Sequence, residues 1–359
     1  KREIKRKRKR ETKYKDNPVI GNPTSIRDFR DPKVMWHDAS QQWILTLVAG
    51  DHAKFYSSKN LISWTYLSDF GKDLGAHDGV WECPDLFELA VEGSDEKKWV
   101  LLISINPGAP NGGSGTQYFV GDFDGTAFTT TQKDIKWVDY GTDNYAGVTY
   151  NGLPDSERTF IGWMSNWNYA RDTPTENWRS AMTLSRKLTL HKNDAYYLKN
   201  YPVAAIDDYS YDTNRYDSIT NNYSLTSENF NEMQIDFDIE GELHDFELKF
   251  SNISNDQLLV GYDKEEDAFY IDRRKSGKVN FEPRFAEKTH NAPAITDENN
   301  KTTFSIFMDA SSIEFFVDQG ATAITDQIFP NEPYTVMTFT SNEHKMTNVQ
   351  VSKIKRIWK

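Results

Sequence analysis

Short runs of β-branched and aromatic residues recur along the chain between turn signals, at Trp43 to Val48, Trp99 to Ile105, Gln117 to Phe123, Phe160 to Met164 and Ser180 to Leu190. Their length and spacing predict antiparallel strands rather than helices. Turn-forming pairs punctuate them, as in Asn106-Pro107-Gly108, Gly112-Gly113 and Asp124-Gly125, where glycine and proline supply the backbone angles that strands cannot. No segment keeps a helical period for more than a few turns. From Met233 to Phe237, Phe246 to Phe250, Leu258 to Tyr262, Phe304 to Met308 and Ile313 to Val317, apolar and polar residues tend to alternate at period two. That is the pattern of sheets that each bury one face, as in a sandwich. The pattern predicts an all-β protein with a boundary near Pro202 to Asp212.

Composition narrows the class. Of 359 residues 37% are hydrophobic, and the 10 Trp, 18 Tyr and 21 Phe weight that fraction toward flat rings, which suit sheet cores and sugar platforms. The net charge of -12 argues against a nucleic-acid partner, since polyanion affinity depends on displacing counterions with lysine and arginine. The exception is KREIKRKRKR at Lys1 to Arg10, read as a solvated basic extension over residues 1–16 rather than a nucleic-acid arm or localisation signal. A single cysteine, Cys83, excludes an internal disulfide. No apolar run reaches the length of a membrane span.

The seven histidines show no helical or finger-type metal spacing, and Gly112-Gly113-Ser114-Gly115 lacks the lysine of a phosphate loop. No metal or cofactor is expected. Carboxylates beside arginine and tryptophan carry more information. In Phe29-Arg30-Asp31-Pro32 the arginine is expected to hold Asp31 ionised, just before a strand, as an acceptor for sugar hydroxyls or as an ordinary turn pair. In Trp81-Glu82-Cys83-Pro84-Asp85 the glutamate lies between an indole and a thiol. Desolvation there is expected to raise its pKa, as a general acid near neutral pH requires.

These two segments, with Ser104-Ile105-Asn106-Pro107-Gly108-Ala109-Pro110, Gln117-Tyr118-Phe119-Val120-Gly121, Gly162-Trp163-Met164-Ser165-Asn166-Trp167 and Trp178-Arg179-Ser180-Ala181-Met182, resemble glycoside hydrolase family 32, in the family's order and spacing. The family comprises invertases, inulinases and levanases. The resemblance implies a five-bladed β-propeller followed by a β-sandwich, here a partial, N-terminally truncated propeller over 17–204 and a sandwich over 205–359. It also implies a retaining mechanism with an aspartate nucleophile and a glutamate acid/base, and a fructose-containing oligo- or polysaccharide as substrate. By the same resemblance Glu82 matches the acid/base, and Asp31 looks like the transition-state stabiliser that binds fructosyl hydroxyls, oriented by Arg30. Trp163 resembles the aromatic wall of the pocket, and Asp143 lies where the family touches the leaving-group side.

The family's nucleophile lies in a Trp-Met-Asn-Asp-Pro-Asn-Gly motif upstream of Arg-Asp-Pro, and that motif is absent from these 359 residues. The expectation is therefore that the chain alone does not turn over, its retaining pathway lacking a first step. A non-catalytic fructan-binding remnant is the second reading. Export to a secreted or periplasmic location is expected of the full-length form.

Overall fold

The computed structural model describes residues 12–357 apart from residues 24, 298 and 299; the basic run at Lys1 to Arg10 lies outside the described residues. Three antiparallel sheets come first. One is formed in sequence order by β1 (Phe29–His37), β2 (Gln42–Ala49), β3 (Ala53–Ser58) and β4 (Thr65–Phe70). The second follows the same meander through β5 (Val80–Ala90), β6 (Lys97–Asn106), β7 (Gly115–Phe123) and the short β8 (Phe128–Thr129), with β9 (Lys136–Trp137) beside β7. The third contains β10 (Tyr145–Thr149), β11 (Thr159–Met164), β12 (Ala181–Met182), β13 (Arg186–Lys192) and β14 (Tyr196–Pro202). Each is a blade of a β-propeller, and the first strand of the middle blade, β5, packs between the first strands of its neighbours, β1 and β10.

Each pair of blades is joined by its own apolar core. Ile44, Phe55, Trp81, Leu101 and Phe119 fill the space between the first two blades; Phe87, Val100, Tyr118, Phe160 and Leu188 fill that between the second and third. A strand in a stack of blades has both faces covered, and the continuous apolar run Trp99 to Ile105 has that character, with Val100 to Ile105 all buried.

The chain leaves β14 at Pro202, crosses a 3-10 turn at Ala204–Tyr209, and enters two six-stranded antiparallel sheets. One is ordered Ser210–Ile219, Met346–Ile354, Met233–Glu240, Lys301–Asp309, Ser312–Val317 and Thr322–Gln327. The other is ordered Tyr223–Thr226, Val336–Thr340, Phe246–Ser251, Gln257–Asp263, Ala268–Lys275 and His290–Pro293. The inward residues of the two sheets, among them Ile235, Phe237, Phe250, Phe269, Phe304 and Phe315, form the largest apolar core. In Phe246–Ser251 burial alternates at every residue, as the period-two reading requires.

Two strand assignments made from sequence need correction. Ser180 to Leu190 is not one strand: β12 and β13 are separated at Thr183 to Ser185. There the Thr183 N–H donates to the Gly162 carbonyl, and the Leu184 N–H donates at 2.8 Å to the Glu314 carboxylate of the sandwich. The Thr183 bond still holds the chain to β11, and the Glu314 carboxylate then draws it off the blade at Leu184. Nor does Asp31 precede a strand; it lies within β1, and Glu82 and Cys83 lie within β5. Pro32 and Pro84 argue against strands by propensity, but a proline is tolerated where a bulge already breaks the ladder.

Candidate active site

The bulges organise the site. In β1 the register shifts between Arg30 and Lys33, in β5 between Glu82 and Asp85, and in β10 between Tyr145 and Val148. Each contains one non-glycine residue in the left-handed region: Asp31 at φ 60°, Cys83 at φ 48° and Ala146 at φ 52°. A side chain there costs about 1–2 kcal/mol, so the same strain is built into three successive blades at the same place. Strain repeated in this way commonly marks functional positions. Its local effect is to turn Arg30 and Glu82, each just before the bulge, toward one another.

The Arg30 guanidinium donates to Glu82 Oε1 at 2.8 Å and to Asp28 Oδ1 at 2.5 Å. Its Nε is 3.9 Å from Asp31 Oδ2, too long for a hydrogen bond. Asp31 is instead held by the neighbouring blade: the Cys83 N–H donates to Oδ2 at 3.0 Å, and the Cys83 thiol lies 3.8 Å from the same oxygen. Arg30 is thus a bridge between Asp28 and Glu82 more than an orienter of Asp31. Asp31 and Glu82 are 30% and 21% exposed, enough for both carboxylates to meet a ligand.

The surroundings of Glu82 also differ from the sequence expectation. Successive residues of a strand face opposite sides, and Trp81 is wholly buried in the core between the first two blades, its indole N–H donating to the Ala76 carbonyl at 2.8 Å. The carboxylate of Glu82 meets a guanidinium rather than an indole. Cys83 is the group that burial perturbs most here: desolvation, reinforced by the negative charge of Asp31 and Glu82, pushes its thiol up to about 12. It is therefore a neutral, weak donor at neutral pH.

Two residues beyond Asp31 and Cys83, and three beyond Ala146, a second tie joins the blades. Lys33 Nζ lies 3.2 Å from Asp85 Oδ2 and donates to the Thr149 carbonyl at 2.8 Å, while Asp85 accepts from the Thr149 N–H at 2.7 Å and from its hydroxyl at 2.9 Å. β1, β5 and β10 are thereby fixed against one another directly behind Asp31 and Glu82. Sequence reading missed Asp28, Lys33 and Asp85. The signal that could have found the last two was present: Arg-Asp-Pro-Lys and Glu-Cys-Pro-Asp are the same bulge in successive blades.

Trp163, on β11, is half-buried and lies opposite Tyr145 and Met182 in register. Its ring meets Trp167 at 5.0 Å and Tyr145 at 6.3 Å. Beside it, a Cβ on Gly162 would come within 2.0 Å of Asn144 Oδ1, so a larger residue there would have to displace the Asn144 side chain. Trp167 and Trp178 are both exposed, so the loop after β11 presents indoles to solvent.

Asp143 is not at this surface. It is wholly buried, and its carboxylate accepts from Arg273 at 2.7 Å, from the Tyr169 hydroxyl at 2.8 Å and from the Gln327 N–H at 2.9 Å. Burial pushes its carboxyl up, against the pull of Arg273. Together with Arg186, which bonds Asp139 at 2.7 Å and Glu314 at 2.6 Å with all three groups buried, this pair ties the third blade to the sandwich. Both patches are buried ionic fasteners. Among the described residues no cluster of three or more His, Cys, Asp or Glu side chains could hold a metal, and no helix is long and apolar enough to cross a membrane. A cavity of about 330 Å³ lies on the sandwich, lined in part by Tyr211, Glu228 and Lys353, and contains none of the site residues.

Residues 3–202 match the Glycosyl hydrolases family 32 N-terminal domain, and residues 205–356 match the Glycosyl hydrolases family 32 C terminal. A levanase of Bacillus subtilis is 40% identical over 97% of this chain, which spans 53% of that protein. An extracellular exo-inulinase of Aspergillus niger is 38% identical over 95% of this chain and 68% of its own length. The chain thus spans about half the length of the levanase and about two thirds of the inulinase. Among solved structures, the exo-inulinase of Aspergillus awamori superposes with a TM-score of 0.86 at 34% identity, over 95% of this chain and 71% of the other. The β-fructofuranosidase of Schwanniomyces occidentalis complexed with fructosyl-erythritol superposes with a TM-score of 0.84 at 29% identity, over 96% and 73%.

Proposed function

This chain belongs to glycoside hydrolase family 32, and from that premise we propose that it carries the acid/base half of a retaining site that cleaves fructosyl linkages in sucrose, inulin or levan. The observation that carries the reading is the convergence of Glu82, Arg30 and Asp31 from two adjacent blades onto one cluster. Glu82 is the acid that protonates the departing glycosidic oxygen and later the base that activates water. Asp31, held at Oδ2 by the Cys83 N–H and thiol and with no donor to Oδ1 among the described residues, accepts from fructosyl hydroxyls and stabilises positive charge developing on the ring. Arg30 steers Glu82, and Trp163 supplies a flat apolar wall for a sugar face.

The blades over 17–204 carry this chemistry, and the sandwich over 205–359 braces the third blade through Arg186 and Arg273. Residues 1–16 take no part. Asp143 is assigned to that bracing rather than to the leaving-group side, because it is fully buried and already bonded. A retaining glycosidase needs a second carboxylate about 5 Å from the acid to attack the anomeric carbon, and the motif that holds it in the family is absent from these residues. Residues 1–359 by themselves are accordingly a binding unit with trace turnover at most. Export from the cell belongs to the same reading, by likeness to the extracellular inulinase.

Fructose release tests it. Residues 1–359, and a fusion that places the Asn-Asp-Pro-Asn-Gly segment of a family member upstream, are incubated with sucrose, inulin and levan. Turnover by the fusion, its loss by about a hundredfold or more in Glu82→Gln, and near silence of the short form are expected. Ordinary turnover by the short form, or by the Glu82→Gln fusion, would remove the assignment.

A further inference from the structure

We propose that the sandwich carries a carbohydrate site of its own, a groove beside Tyr211 and Glu228 that holds a segment of a long fructan chain; fructan as the occupant rests on the fructosyl chemistry proposed for the blades. Two cavities, of about 330 and about 220 Å³, share Ser227, Glu228 and Lys353 in their linings and so run together. Their walls come from the edge strand of one sheet, Ser210–Ile219, and the edge strand of the other, Tyr223–Thr226. Leu225, Phe230, Met233 and Val351, all buried in the sandwich, supply an apolar floor.

Above that floor stand polar groups with nothing to bond. The Glu228 carboxylate, the Asn214 amide, Asn229 Nδ2 and the hydroxyls of Tyr211 and Tyr216 have no hydrogen-bond partner among the described residues. The Tyr211 ring is 44% exposed, with Lys355 Nζ 5.9 Å over it. The other charges of the rim are paired, Asp212 with Lys353 at 2.7 Å and Glu232 with Arg356, so the groove suits a neutral ligand better than an ionic one. A sugar matches each part: its C–H face lies against apolar floor and phenol ring, and its hydroxyls donate to the carboxylate and accept from the amides. A peptide strand added to the sheet matches less well, because Ser210–Ile219 is bulged between Tyr211 and Asn214, with Asp212 in the left-handed region at φ 49°, and a bulged edge resists further pairing. The groove is open to solvent, so each ring is held weakly. A polysaccharide compensates by presenting many rings, whereas a trisaccharide registers at the blade site alone.

Native electrophoresis of the 359-residue chain in gels cast with and without levan or inulin tests the groove, with Tyr211→Ala, Glu228→Ala and Asp31→Ala beside the wild type and thermal unfolding of all four. The wild type is expected to be retarded by polysaccharide. Tyr211→Ala and Glu228→Ala each raise the apparent dissociation constant between about threefold and tenfold, the worth of one aromatic face or one hydrogen bond, with unchanged melting temperatures because both side chains are exposed. Asp31→Ala loses only the share of the blade site. Wild-type mobility in both groove variants, with retardation lost in Asp31→Ala, would overturn the groove and leave the blade site standing. The reverse pattern would uphold the groove and remove the fructosyl reading of the blades. A wild type that neither polysaccharide retards would also overturn the groove.

Discussion

Replacing Arg273 by methionine gives the clearest measure of how the sandwich holds the third blade. All five N–H donors of this wholly buried guanidinium are used: Nε to the Phe285 carbonyl, one terminal nitrogen to Asp143 and the Gln327 carbonyl, the other to the Thr142 and Tyr169 hydroxyls. Its plane also lies 3.8 Å over the Phe285 ring. Methionine keeps much of the volume and removes the charge, leaving Asp143 buried with neutral donors only. Breaking a buried pair from one side costs about 3–5 kcal/mol, and losing a desolvated cation from an aromatic face costs about 2 more. We expect a destabilisation of about 5 kcal/mol or more. With an unfolding entropy of about 2.1 cal/mol/K per residue, that corresponds to a fall of roughly 7 °C or more in melting temperature for a chain of this length. Urea unfolding followed by tryptophan fluorescence, with calorimetry beside it, reads the change. Arg273→Met combined with Asp143→Asn should recover part of the loss, because the uncompensated charge is gone. A loss below about 1 kcal/mol in the single variant would refute the fastening role.

Two further outcomes follow from perturbed groups. The Cys83 thiol, pushed up to about 12 by burial and by Asp31 and Glu82, should react with a disulfide reagent at pH 8 roughly a thousandfold more slowly than a free thiol; Asp31→Asn should speed it, and free-thiol reactivity in the wild type would contradict the contact. At Asp69 burial acts to raise the carboxyl, but hydrogen bonds from Lys54, Lys72 and Tyr66 outweigh it and hold the group down at about 2, below its ordinary 3.8. A depressed carboxylate stabilises the fold above its unfolded pKa and loses that contribution as pH falls toward the folded one. Stability should therefore drop between about pH 4 and pH 2, less so in Lys54→Met, and an unchanged acid limb in that variant would exclude the pair as the cause.

How much of this was legible depended on distance along the chain. The sandwich strands show in the period-two alternation of Phe246 to Phe250, and the blade strands in apolar runs such as Trp99 to Ile105, because both patterns are local. Asp31 and Glu82 were legible as motif residues. Their surroundings were not, since Trp81 and Glu82 are neighbours in sequence but face opposite sides of β5. Carrying strand alternation through the Glu-Cys-Pro segment would have placed the indole correctly; its proline discouraged that step. The contacts of Arg30 with Glu82, Cys83 with Asp31, Arg186 with Glu314 and Thr325, and Arg273 with Asp143 and Thr142 join residues 52 to 139 positions apart, and no local pattern encodes such pairs. Asp143 was misplaced for that reason: its partner Arg273 is supplied by the sandwich.

If Arg30, Asp31 and Glu82 form one fructosyl-binding site, as proposed, the affinity of residues 1–359 for 1-kestose depends on Asp31 and is measured before and after Asp31→Ala. A single site is expected in the wild type and at least a tenfold loss in Asp31→Ala, the worth of a charge-assisted hydrogen bond, with the melting temperature within a few degrees of the wild type because Asp31 is partly exposed. Undiminished affinity in Asp31→Ala, or no binding by the wild type, would contradict it.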